Sequence, residues 1–74
     1  MKFKREKREQ MKQKILEFLK NADGHIASIP MLARAIQASP SATKSVVWEL
    51  EMEKKVRVVR LGNEYIVKLE KGGE

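Results

Sequence analysis

Near Lys55 the apolar spacing of the chain changes from a helical period to a strand period, and that change limits the fold more than any other feature. Lys55-Val56-Arg57-Val58-Val59-Arg60-Leu61 and Glu64-Tyr65-Ile66-Val67-Lys68-Leu69 are rich in β-branched and aromatic residues and flank Gly62-Asn63. Two such runs around a two-residue Gly-Asn turn predict a β-hairpin. The turn also sets the register, so Val56 faces Leu69, Val58 faces Val67 and Arg60 faces Tyr65. Because side chains alternate along a strand, these six share one side of the ribbon, with an apolar base and an Arg–Tyr tip. Arg57/Lys68, Val59/Ile66 and Leu61/Glu64 share the other.

Upstream the pattern is helical. Met11, Ile15, Phe18, Leu19 and Ala22 predict a first helix over roughly 5–21, closed by Asn21-Ala22-Asp23-Gly24. His25-Ile26-Ala27 is a short extended piece. Ser28 is a good N-cap with Pro30 in the first turn, so Met31, Leu32, Ala35 and Ile36 belong to a second helix of about 29–37. After Gln37-Ala38, Ser39 caps a third helix that Pro40 opens, with Ser41 as the alternative cap. Thr43, Val46, Val47 and Leu50 carry that helix to about Lys54. Residues 1–9 are a basic arm or an extension of the first helix, 10–70 form the domain, and 71–74 are a tail.

A chain of 74 residues holds one domain, and at this size folding hides only about 60% of the unfolded surface. Hydrophobic residues at 42% and charged residues at 35% predict a soluble globular fold. With no cysteine, neither disulfides nor thiolate metal sites are available. His25 is the only histidine and reads as an ordinary strand residue. One imidazole and scattered carboxylates do not assemble a nucleophile–base–orienter set, and there is no glycine-rich phosphate loop. The expectation is a protein without enzymatic activity, cofactor or small-molecule effector. No run approaches the ~20 apolar residues of a membrane span, and the charged N-terminus has no signal-peptide core, so the expected compartment is the cytoplasm.

The net charge is +6, but it is unevenly spread. Residues 1–14 carry seven basic and two acidic side chains, a net of +5, leaving +1 for the other 60. An argument for nucleic-acid binding by the folded core therefore depends on where its charges sit.

The order helix, short strand, helix, turn, helix, hairpin resembles the winged helix family. The likeness is sharpest in SIPMLARAIQASPSATKSVVWELEMEKKV, where Leu32-Ala33, Ile36, Ser39-Pro40-Ser41, Val46-Val47 and Leu50 resemble the helix-turn-helix of small prokaryotic transcription regulators. It spans about residues 10–70. The fold it implies is α+β, with three helices, a short strand and a C-terminal hairpin wing (56–69). The third helix, about 40–54, would enter the major groove of double-stranded DNA. The residues offer a separate check. With Thr43, Val46, Val47 and Leu50 inward, the opposite stripe is Ser41, Lys44, Ser45 and Trp48, spaced i, i+3, i+4, i+7. That stripe lacks carboxylates, while Glu49, Glu51 and Glu53 come late in the helix. Helix-turn-helix docking uses the N-terminal part against bases, and Ser39 and Ser41 sit beside amides free to meet a phosphate.

Arg34, Arg57, Arg60, Tyr65 and Lys68 complete the candidate DNA-binding set. Each also has a plainer reading: Arg34 in a surface salt bridge, Arg60 stacked on Tyr65, Arg57 and Lys68 answered by Glu70, Trp48 packed on the hairpin. Z-DNA-binding winged domains carry a tyrosine where this chain has Trp48 and a tryptophan in a proline-rich wing; Lys44, Tyr65 and the absence of a wing proline depart from that pattern. Val59 and Ile66, apolar on the outer side of the wing, point to a homodimer contact. Two other functions fit the same residues: a protein-interaction adaptor built on a winged helix, and an RNA binder that uses the basic arm with Trp48 and Tyr65 as stacking surfaces.

Overall fold

The computed structural model describes residues 2–70. Helix α1 runs Lys2–Asn21, strand β1 Ile26–Ser28, helix α2 Ile29–Ile36, helix α3 Pro40–Met52, strand β2 Val56–Leu61 and strand β3 Glu64–Leu69. The sheet has three antiparallel strands in the order β1-β3-β2. This α+β arrangement has the layout of a winged helix. The tail expected over 71–74 lies outside the described residues.

The two proline-led helices begin where their caps predict. Ser28 accepts the Met31 amide (3.4 Å) and Ser39 the Ala42 amide (3.1 Å), each satisfying a donor that the first helical turn leaves open. The hairpin register is the expected one, from Val56↔Leu69 to Leu61↔Glu64. Gly62 takes φ +62 at the first central position of the turn, where a side chain would be strained.

The helix ends differ from expectation. Helix α3 stops at Met52 because Lys54 turns left-handed (φ +64), sending the Lys55 amide back to the Leu50 carbonyl (3.0 Å) and its own to Glu51 (2.9 Å). Helix α2 closes in the same way on Gln37 (φ +57), with Ala38 bonded to Ala33 (2.9 Å) and Gln37 to Arg34 (3.3 Å). Both are Schellman closures, which usually place glycine at the left-handed position. Helix α1 begins at Lys2 rather than near residue 5. At its other end the His25 ring donates from Nδ1 to the Leu19 carbonyl (3.1 Å), covering one of the open carbonyls of the last turn. The chain then turns over Asp23–His25, and β1 starts at Ile26.

Ile15 and Leu19 of α1, Leu32 of α2, Val46, Val47 and Leu50 of α3, and Val56 and Val67 of the hairpin form the centre of one buried cluster. The helices cover only the inner side of the sheet. That side carries Val56, Val58, Val67 and Leu69 at its base, continuing to Arg60 and Tyr65 at its tip.

Candidate nucleic-acid interface

On α3, Thr43, Val46, Val47 and Leu50 are buried and Ser41, Lys44 and Ser45 are open to solvent. The inward stripe fixes the outward one, because residues three and four apart share a helical face. Thr43 is the one polar member of the inward stripe, and its hydroxyl donates to the Ser39 carbonyl (2.9 Å). That bond ties the buried stripe to the cap and leaves Ser39 and Ser41 at the open end of the helix. Trp48, the last of the outward stripe, remains 37% exposed.

The hairpin brings its tip against this stripe. The Tyr65 ring meets Trp48 edge to face, with centroids 5.2 Å apart and planes at 78°. Lys44 Nζ sits 4.8 Å from the Tyr65 centroid and Arg60 Cζ 5.9 Å from it, so two cations share one aromatic ring. Arg60 Nε also donates to the Gly62 carbonyl (3.4 Å), which holds it over the turn. Among the described residues, neither Lys44 nor Arg60 has a carboxylate within salt-bridge reach. Two like charges gathered on one ring, with no acid answering them, make a local preference for an anion.

The acids of α3 are answered elsewhere. Arg8 binds Glu49 through Nε (3.0 Å) and Nη2 (2.5 Å), and Lys12 Nζ lies 2.7 Å from Glu53, 3.0 Å from Glu49 and 3.5 Å from Glu9. Arg8 Nη2 also donates to Ser45 Oγ (3.3 Å), so α1 reaches the edge of the exposed stripe. Glu51 accepts the Val58 amide (3.3 Å), capping the outer edge of β2, a strand paired only with β3. Glu49 and Glu53 are thus neutralised by α1, and the front half of α3 carries Lys44 as its one charged side chain. Arg8 and Lys12 were legible only as part of a basic run. Their i, i+4 spacing matches that of Glu49 and Glu53, a complementary pattern that a search for opposite charges at equal spacing would find.

This contact sets a pH response. Hydrogen bonds from Arg8, then Lys12, hold the Glu49 carboxyl below its ordinary 4.5. Hydrogen bonds to Glu53, then Glu49, hold the Lys12 ammonium above its ordinary 10.5. A lowered acid stabilises the fold above its unfolded value and loses that contribution as pH falls through the folded one. A raised lysine stabilises below its unfolded value and loses it only as pH rises through the folded one. The urea midpoint should therefore be flat between pH 5 and 10 as far as this contact is concerned, and fall below pH 4.5. Glu49→Gln should flatten part of that acid limb; superimposable limbs for the two proteins would show that the contact adds nothing.

The remaining candidates lie apart from the α3–hairpin junction. Arg57 and Lys68 pair across the outer side of the sheet, and Arg57 Nε lies 3.7 Å from Glu70. Arg34 is exposed on α2 beside Phe18, Pro30, Met31 and Ala35, in an open cleft between α1 and α2. The ten sequence candidates therefore divide: Ser39, Ser41, Lys44, Ser45, Trp48, Arg60 and Tyr65 belong to one surface, and Arg34, Arg57 and Lys68 do not. Among the described residues no group of His, Asp and Glu has the arrangement of a metal site, and no helix is long and apolar enough to cross a membrane. Comparison of the chain with models of known protein families and with curated proteins finds no match in either.

Proposed function

We propose that the protein binds double-stranded DNA, with the first half of α3 in the major groove and the hairpin tip on the backbone beside it, as a small cytoplasmic regulator of transcription. The observation that carries this reading is the junction where Lys44 and Arg60 converge on Tyr65 with no carboxylate partner among the described residues. Ser39, Ser41 and Ser45 flank it as short hydrogen-bonding groups that can approach bases or phosphates closely. Arg8 joins the set through its bond to Ser45. The partition of charge along α3 supports this orientation. A duplex laid on the front half meets cations, and Glu49 and Glu53 at the rear are already paired with α1.

Fluorescence anisotropy with a labelled duplex, and with a single-stranded RNA of equal length, across a salt series tests the reading. Each phosphate neutralised on B-DNA contributes about −0.9 to the slope of log affinity against log salt, so Lys44 and Arg60 together give a slope near −2. Further contacts from the first turns of α1 steepen it. Preference for RNA transfers the junction to base stacking on Trp48 and Tyr65, and no binding of either at low salt removes nucleic acid from the account.

A further inference from the structure

The outer side of the sheet, which no helix among the described residues covers, carries a patterned surface. Along β3 it presents Glu64, Ile66 and Lys68; along β2, Leu61, Val59 and Arg57; along β1, Ser28 and Ile26. Leu61 is 61% exposed, Ile26 39% and Val59 36%. The pattern has a direction, with Glu64 at the tip of the hairpin, apolar side chains across the middle, and Lys68 with Arg57 at the base.

We propose that a second copy of this chain packs face to face on this surface, about a two-fold axis that crosses the strands through the Ser28–Ile66–Val59 row. A two-fold between facing sheets lies in the plane between them, and its direction decides which residues meet. An axis along the strands sets Lys68 on its own copy and Glu64 on its own copy, two like-charge contacts. An axis across the strands reverses one sheet end for end. Lys68 then meets Glu64 of the second copy, and Glu64 meets its Lys68, while Ile66 and Val59 close on themselves. Leu61 lies under the aliphatic stem of the second copy's Arg57, and Ile26 stays at the rim. The charge order selects this axis over the other, because opposite charges a strand-length apart become neighbours only when the sheets are antiparallel. Stacked sheets keep their strands within about 30° of each other, which preserves the matching.

Two six-residue strands and one three-residue strand about 4.8 Å apart offer roughly 250 Å² per copy, well under the ~800 Å² per partner of a stable interface. The dimer is accordingly a weak one, formed at high local concentration. It leaves Lys44, Arg60 and Tyr65 free in both copies, since these belong to the inner side of the sheet, and it does not depend on the DNA reading.

Sedimentation equilibrium from about 10 μM to 1 mM, a range chosen for the weak association expected of so small an interface, reads it directly. The weight-average mass should climb from 8.5 kDa towards twice that value. Lys68→Glu and Glu64→Lys should each weaken association by ~10-fold or more, since each creates two like-charge contacts in the dimer. The double exchange should restore it. Net charge alone predicts otherwise: Lys68→Glu lowers the +6 of the chain and should favour association by reducing self-repulsion. Both positions are exposed, and circular dichroism verifies that the variants stay folded. A wild-type protein that remains monomeric at 1 mM overturns the proposal, as does a double exchange that associates no better than the single variants.

Discussion

Exchanging Lys44 for Glu should reduce affinity for duplex DNA by about 10- to 100-fold and make the salt slope shallower by about one. The residue is exposed on the outward stripe of α3 and, among the described residues, has no acid to release. In the native protein it lies over the Tyr65 ring, a contact worth roughly 0.5–1 kcal/mol at an exposed site, so the fold should lose little. The reversal places a carboxylate beside Arg60, where it draws that cation away from a phosphate as well as repelling the phosphate itself. Lys20→Glu supplies the control. It makes the same change in net charge at an exposed position on α1, beside Lys54, Lys55 and Leu69, away from the α3–hairpin junction. Equal loss of affinity in the two variants would reduce the effect to overall charge and strip the junction of its role. Loss confined to Lys44→Glu fixes the contact at the front of α3.

The second large effect concerns the support under that surface. Leu50→Ala should destabilise the domain by about 2–5 kcal/mol, read as a drop of roughly 10–30 °C in the thermal midpoint. Leu50 is fully buried, in the cluster that α3 shares with α1, α2 and the hairpin, and its carbonyl receives the Lys55 amide that closes the helix. Removing its side chain opens a void beneath the segment that aims Lys44 and Trp48. In a domain whose total stability is about 5–15 kcal/mol, a loss of this size leaves a substantial unfolded population on modest warming. DNA affinity measured well below the new midpoint should recover towards the native value, since no group of the interface has been removed. A shift under about 1 kcal/mol would mean that α3 is not anchored on this residue.

Several features of the fold are local consequences of residue order. The Gly62-Asn63 turn admits one register, and alternation then assigns every hairpin residue to a side, as the pairing from Val56↔Leu69 to Leu61↔Glu64 shows. Ser28 and Ser39, each followed within two residues by proline, start two helices because cap and proline act within one turn. The ends of those helices were less legible. Gln37 and Lys54 occupy left-handed positions that glycine usually fills, so no residue type marked the stop. The conformations are held by backbone bonds from Gln37, Ala38, Lys54 and Lys55 to carbonyls three to five residues back, which carry no residue-type signature.

For the candidate site, the outward stripe Ser41, Lys44, Ser45 and Trp48 followed from helical period alone. The grouping of cations did not. Strand alternation separates Arg57 and Lys68 from Arg60, but only the fold brings Arg60 and Tyr65 against Lys44. Arg8 and Lys12 were indistinguishable from their basic neighbours, although they close an ionic contact with residues 41 positions away.

What the sequence by itself determined was every feature set within a turn or two of chain: element types, caps, the hairpin register and which stripe of the third helix faces outward. Only the tertiary structure decided which charges are spent on other charges and which stay free, because a side chain's electrostatic partner is chosen by distance in space. Folding brings Glu49 and Glu53 under Arg8 and Lys12, and carries Tyr65 to Trp48 and Lys44. A chain with little net charge outside its first helical turns thereby acquires a surface where two cations meet on one aromatic ring.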